Sequence, residues 1–213
     1  MTTTWTLGLI IGAVLTVAAA APAEMTLATG GATDYVILVD PEATVAERHA
    51  ADELASFLGQ VTGATFPILE SAQVPEGPAL LVGPGAAARA LAPDRSFDDL
   101  APDGIVIETR APHLILAGDR PRGTLYAVYR FLEDAVGCRW WTSTASTIPQ
   151  RPDLTVPDQH VRYIPPLEYR EVFWWDAFDG DWAARNQSNG QRAHLEERHG
   201  GHWQYAGNFV HTF

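Results

Sequence analysis

Hydrophobic positions along the chain follow two different periods, and their alternation predicts the elements. Tyr35-Val-Ile-Leu-Val39 is a short, mostly β-branched apolar run bounded by Asp34 and Asp40-Pro41, the pattern of a buried strand. From Glu42 onward, Ala46, Ala50, Leu54, Phe57, Leu58 and Val61 recur at three- and four-residue spacing. Pro41 suits a helix start and Gly63 a stop, so the stretch predicts an amphipathic helix lying on a sheet. Phe66-Pro-Ile-Leu69 and Ala79-Leu-Leu-Val82 are strand candidates around a Pro/Gly-rich turn, and Gly85 to Leu91 fits two helical turns closed by Pro93. Gly104 to Thr109 and His113 to Ala117, joined by Arg110-Ala111-Pro112, predict an antiparallel hairpin. Leu125, Val128, Tyr129, Leu132 and Val136 then share one helical face that ends at Gly137, and Arg139-Trp140-Trp141 reads as extended. This order describes an α+β, mixed α/β sandwich over about residues 24–160.

Beyond it the pattern changes. Pro149, Pro152, Pro157, Pro165 and Pro166 punctuate a stretch without helical period, which reads as a linker or an extended crossing. Glu168 to Trp175 predicts a new strand and Asp181 to Asn189 a helix, whereas Gly190 to Phe213 is rich in Gly, His and aromatic residues and has no period. No internal repeat is present.

Composition narrows the class. With 46% apolar and 19% charged residues, the 213-residue chain has enough apolar surface for a sizeable core. The net charge of −12 is spread along the chain and repels phosphate backbones, which argues against a nucleic-acid partner. Residues 5–21 are uncharged and end in Ala21-Pro22-Ala23, the pattern of a secretory signal peptide occupying 1–23 and cleaved after Ala23. An uncleaved anchor is the alternative, since about 20 apolar residues can span a bilayer. The expected location is exported, periplasmic or extracellular, with no membrane contact after cleavage. Cys138 is the only cysteine, so no intramolecular disulfide can form, and its setting reads as a small buried hydrophobe.

Four motifs invite chemistry. Gly83-Pro-Gly-Ala-Ala-Ala88 matches a dinucleotide-binding pattern, but Pro84 removes an amide and the helix is too short for a nucleotide crossover, so a plain turn is the better reading. His194, His199, His202 and His211 suggest a metal; no H-E-x-x-H or H-x-x-E-H spacing is present, and exposed loop histidines are expected instead. Asp176, Asp179 and Asp181 lack the final Glu of a calcium loop and read as a solvated turn and a helix N-terminus. The tryptophans carry more. Packing is expected to claim Trp140 and Trp141, while Trp174 and Trp175 are placed to present flat amphipathic rings to a sugar.

The segments Ala51-Asp-Glu-Leu-Ala-Ser-Phe-Leu58, Val61-Thr-Gly63, Leu81-Val-Gly83, Asp103-Gly-Ile105 and above all Gly118-Asp-Arg-Pro-Arg-Gly-Thr-Leu-Tyr126, with Gly137-Cys-Arg-Trp-Trp141, resemble a known domain. It is the N-terminal domain of family 67 α-glucuronidases and family 20 β-hexosaminidases, most similar to bacterial proteins in which it precedes a DUF4838 barrel. The resemblance covers roughly residues 34–213. It implies a non-catalytic, hexosaminidase domain-2-like sandwich at 24–160, followed at 161–213 by the beginning of an incomplete (β/α)8 barrel. It also implies that the catalytic residues lie C-terminal to this chain, which alone is expected to be inactive. Glycoside hydrolysis needs paired carboxylates, and Glu168, Glu171, Asp176 and Asp179 are the local acids. The resemblance puts a substrate-binding arginine at Arg170, with Glu168 its same-face partner if it is structural. Trp174, Trp175 and His211 complete the candidate sugar contacts. A carbohydrate is the expected partner; no cofactor and no metal are expected. N-terminal sequencing of secreted protein is expected to begin at Glu24, and a retained Met1 would refute cleavage.

Overall fold

The computed structural model describes Met1 and residues 24–204; the expected signal segment and His211 lie outside the described residues. In chain order the strands are β1 (Glu24–Ala28), β2 (Val36–Val39), β3 (Ile68–Glu70), β4 (Ala79–Val82), β5 (Ile105–Arg110), β6 (His113–Gly118), β7 (Arg139–Trp140), β8 (Ser146–Thr147), β9 (Leu154–Pro157) and β10 (His160–Tyr163). The α-helices are α1 (Val45–Thr62), α2 (Ala86–Leu91), α3 (Gly123–Phe131) and α4 (Gly180–Arg185).

A six-stranded mixed sheet runs in the order β10-β5-β6-β4-β2-β3, with β6, β4, β2 and β3 parallel and β5 antiparallel to both its neighbours. Its central strands are apolar on both faces, as strands covered on both sides must be. Ile37, Val39, Leu80, Val82, Leu114 and Leu116 pack with α1 and α3 in the main core. The alternate residues Leu38, Leu81, Ile115 and Ala117 meet α2 and Phe97 on the opposite face. The predicted mixed α/β architecture is therefore present. The predicted hairpin is also present, with Arg110 opposite His113.

Helix α1 is capped at Thr44 and begins at Val45, four residues later than Pro41 suggests. Thr44 accepts the Glu47 amide at 3.2 Å while the Glu47 carboxylate accepts the Thr44 amide at 2.7 Å, closing a capping box. Pro41 instead lies in a turn where Asp40 accepts the Glu42 amide. The C-terminus is where the pattern places it, at Gly63 in the left-handed region with φ 79°. Helix α3 continues into a π-turn, Leu132–Val136, and ends at Gly137. Cys138 is fully buried, and that burial pushes its thiol up to about 11, which leaves it protonated and inert.

Several expectations need correction. The Pro-rich stretch contains β9, paired with β1, and β10, the edge of the main sheet. Strand β10 therefore straddles the boundary expected at 160/161. Glu168 to Trp174 carries no β-ladder: Glu168 O and the Arg170 amide and carbonyl bond to Ser188 and Asn189, and Trp174 O opens a short 3-10 helix, Trp175–Phe178. The helix expected over Asp181 to Asn189 stops at Arg185. Trp141 is exposed, its indole held by Thr147, and only Trp140 enters the core. Among the described residues, no helix is long and apolar enough to cross a membrane.

Leu54 sits wholly buried between α1 and the sheet. Leu54→Ala is expected to lower stability by about 2–5 kcal/mol in urea unfolding, whereas Val45→Ala, at an exposed position of the same helix, should stay within about 0.5 kcal/mol.

Candidate functional site

The segment from Leu167 to Trp203 packs on the sandwich through Ala183, Ala184 and Leu195 in the main core and through a buried carboxylate. Asp103 is 1% exposed and sits in the left-handed region at φ 63°, in the turn before β5. One of its oxygens accepts Arg122 Nε at 2.8 Å; the other accepts Arg170 Nη2 at 2.8 Å and Asn189 Nδ2 at 2.7 Å. Arg122 belongs to the Gly118-Asp-Arg-Pro-Arg-Gly block, and the two glycines explain how it arrives. A Cβ on Gly118 would lie 2.2 Å from the Gly123 carbonyl carbon, and one on Gly123 would lie 2.5 Å from Gly104 O. Three backbone segments touch there, which only residues without Cβ allow. The other arginine of the block, Arg120, holds Glu47 with Nε at 2.9 Å and Nη2 at 3.0 Å, fastening the end of β6 to the cap of α1.

On the outer side of this docked segment stands an aromatic surface. Trp175 is 83% and Phe173 76% exposed, with Trp174 between them also exposed. Phe178 meets both Phe173 and Trp175 edge-on, at ring-centre distances of 5.4 and 6.3 Å, and Trp182 supports Trp174 at 5.4 Å. Such edge-to-face packing fixes ring orientation without covering the outward faces. Asp176 ties the surface to the main body by accepting the Ser143 amide and hydroxyl at 2.8 and 2.6 Å, which holds its carboxyl below the usual range.

Two other places gather chemistry and commit it internally. At the carboxyl ends of β2, β4 and β6, where the connection from β2 runs to one side and β4 lies on the other, a cleft of about 540 Å³ opens. Such switch points often take ligands. Here Asp40 already accepts the first amide of α2, at Ala86, and a Cβ on Gly85 would lie 2.6 Å from Asp40. The glycine-rich turn thus closes on its own acid, which removes the dinucleotide reading. The second place is the cluster of His49, Asp181 and His199, whose ligand-type atoms lie within 4.8 Å of one another. His199 Nδ1 accepts the Glu196 amide at 3.0 Å, so Nε2 carries the proton and donates to Asp181 at 2.8 Å. No lone pair is left on His199 for a cation, and the Arg198 guanidinium sits among the three groups.

No family model matches the chain, and no curated protein sequence matches it. Among solved structures it is similar to one described as a novel family GH115 4-O-methyl-α-glucuronidase, BtGH115A, with specificity for decorated arabinogalactans. The TM-score is 0.48 and the identity 18%, over 69% of this chain and 19% of that one. It is also similar to the structure of CpGH84D, with a TM-score of 0.41 and 13% identity, over 70% of this chain and 22% of that one. These weak neighbours are glycoside hydrolases, and the chain spans about a fifth of the length of each.

The structure distributes the sequence-derived candidates unevenly. Trp174 and Trp175 are both exposed, Trp174 backed by Trp182 and Trp175 by Phe178, and Phe173, which the sequence pattern did not single out, shares the Phe178 support. Arg170 points the other way: besides Asp103 it donates to Gln187 O and Leu167 O, both at 2.8 Å, and lies over the Tyr126 ring. Its acidic partner is Asp103, 67 residues away, and not Glu168. Glu171 accepts the Arg192 amide, Asp176 holds Ser143 and Asp179 caps α4. His199 is buried, contrary to the expectation of exposed loop histidines, while His194 and His202 are exposed. Asp103→Ala leaves two guanidinium groups without their carboxylate and is expected to cost about 3–5 kcal/mol in urea unfolding. A cost under about 1 kcal/mol, the range of an ordinary exposed pair, would show that the buried carboxylate does not hold the segment.

Proposed function

We propose that this chain is the N-terminal accessory portion of an exported glycoside-hydrolase-like protein acting on polysaccharide or oligosaccharide, and that it presents a sugar-contact surface formed by Phe173, Trp174 and Trp175. The observation that carries the reading is that three consecutive aromatic rings are exposed yet held in place from behind by Phe178 and Trp182. Exposed rings of this size are costly in water, and a sugar ring offers the matching apolar face of C–H groups. Because the rings are already oriented, little conformational freedom is lost on contact. The sequence resemblance to the glucuronidase and hexosaminidase accessory domain supplies the carbohydrate class.

A second reading, a non-catalytic carbohydrate-binding or scaffold protein, draws on a specific observation. Of the four local acids, Glu171, Asp176 and Asp179 each accept a hydrogen bond that fastens the fold, and Glu168 is exposed, so nothing described sets two of them apart as a flanking pair. Under the first reading the catalytic carboxylates belong to a part of the protein beyond these residues. Under the second they are absent altogether.

Affinity electrophoresis against a panel of neutral and uronate-bearing polysaccharides tests the surface. Trp175→Ala is expected to weaken binding to the retarding polysaccharide by about 0.5–1.5 kcal/mol, roughly 2- to 10-fold, with the melting temperature unchanged. Binding that survives Trp175→Ala and Phe173→Ala together would refute the surface.

A further inference from the structure

We propose that the contact between α1 and the strap formed by residues 179–200 is an acid-sensitive clasp, with His49 as the group that opens it. The inference is independent of which ligand the aromatic surface takes.

The clasp is built from three elements. His49 projects from α1, half-buried, and meets the ring of His199 edge-on at 5.7 Å. Its Nε2 lies 3.5 Å from Nη1 of Arg198. A guanidinium only donates hydrogen bonds, so this contact requires a lone pair on His49 and therefore a neutral ring. Protonation would turn an N–H toward an N–H and place one cation against another.

The nearby carboxylates offset only part of that repulsion, because each is already engaged by other donors. From α4, Asp181 accepts both Arg198 at 2.7 Å and His199 at 2.8 Å. On α1 itself, Glu53 is held by Arg185 of α4 at 3.0 Å and by the Tyr129 hydroxyl of α3 at 2.9 Å. Glu196 accepts Arg198 Nε on the outer side. Burial is the chief influence that lowers the His49 pKa; Arg198 and His199 add to it, and Glu53 and Asp181 oppose it.

The direction of the response follows from linkage. With the strap docked, His49 binds a proton less readily than the ordinary histidine value of about 6.5, and with the strap released it regains that value. Docking is therefore at full strength above about pH 6.5 and weakens as pH falls through the released value toward the lower docked one.

Hydrogen exchange on the full chain at about pH 7.5 and about pH 5.5, on either side of the ordinary histidine value and corrected for intrinsic rates, reads the clasp directly. In the wild type, protection of the α4 amides is expected to fall severalfold at the lower pH while β4 and β6 amides hold theirs. H49Q keeps an acceptor for Arg198 but cannot titrate, and its α4 protection is expected to be the same at both values. A wild type whose α4 protection ignores pH overturns the proposal, and so does H49Q with an undiminished loss. Should H49Q fail to fold, an NMR titration of His49 in the wild type decides: a pKa below the ordinary value sustains the clasp, and one at or above it refutes it.

Discussion

Burying a carboxylate is the constraint around which the rest of the chain is arranged. Asp103 has almost no access to water, and an unpaired charge in such a place costs several kcal/mol. Two guanidinium groups and one amide meet that demand, and each comes from a different part of the sequence. Arg122 can reach it only because Gly118 and Gly123 let the end of β6 touch the start of α3. Arg170 and Asn189 reach it only because the segment from Leu167 onward folds back on the sandwich, where Asn189 also takes the Arg170 amide and donates to Glu168 O. The turn before β5, the α3 start and the docked segment thus meet at one carboxylate, and removing it strands two guanidinium charges.

The elements with strong periodicity were legible from residues alone. Strands β2 and β4, helix α1 and the β5–β6 hairpin follow local pattern, since each buries a face that its own residues define. What the pattern could not reveal is pairing at long range. Strand β9 finds β1 across about 130 positions, and β10 joins the sheet through β5. Their sequences are short, Pro-flanked and half polar, the form edge strands take, and a local reading returns a linker. The same limit produced the error at Glu168 to Trp174. Alternation there is strand-like, yet Glu168 O and the Arg170 amide and carbonyl bond to Ser188 and Asn189 in place of a neighbouring strand.

The candidate site divides along the same line. Exposed aromatic rings are a property of neighbouring residues, so Trp174 and Trp175 could be picked out, and Phe173 carried the same signal. The fates of Arg170 and His199 depend on Asp103, Asp181 and Glu196, and for Arg170 the partner is 67 residues away. No spacing rule within a single strand or helix anticipates such a pairing. A planar guanidinium suits a uronate or a pair of hydroxyls, but it suits a buried aspartate equally well.

That equivalence bears on what the recognised block means. Gly118 to Tyr126 is the most distinctive part of the resemblance, and every polar group in it with a described contact serves the fold. Arg120 secures Glu47, Arg122 secures Asp103, Thr124 accepts the Gly118 amide and the Tyr126 hydroxyl meets Ser188 O. A motif of this kind identifies a way of joining a sheet to two helices and a docked segment; its remaining acid, Asp119, lines the cleft at the strand ends, where burial pushes its carboxyl above the usual range. Function in a chain so arranged falls to side chains that the latch holds but does not consume. Among the described residues the aromatic rings of 173–175 are side chains of that kind: they stay exposed while Arg170 and Asn189 are committed to Asp103.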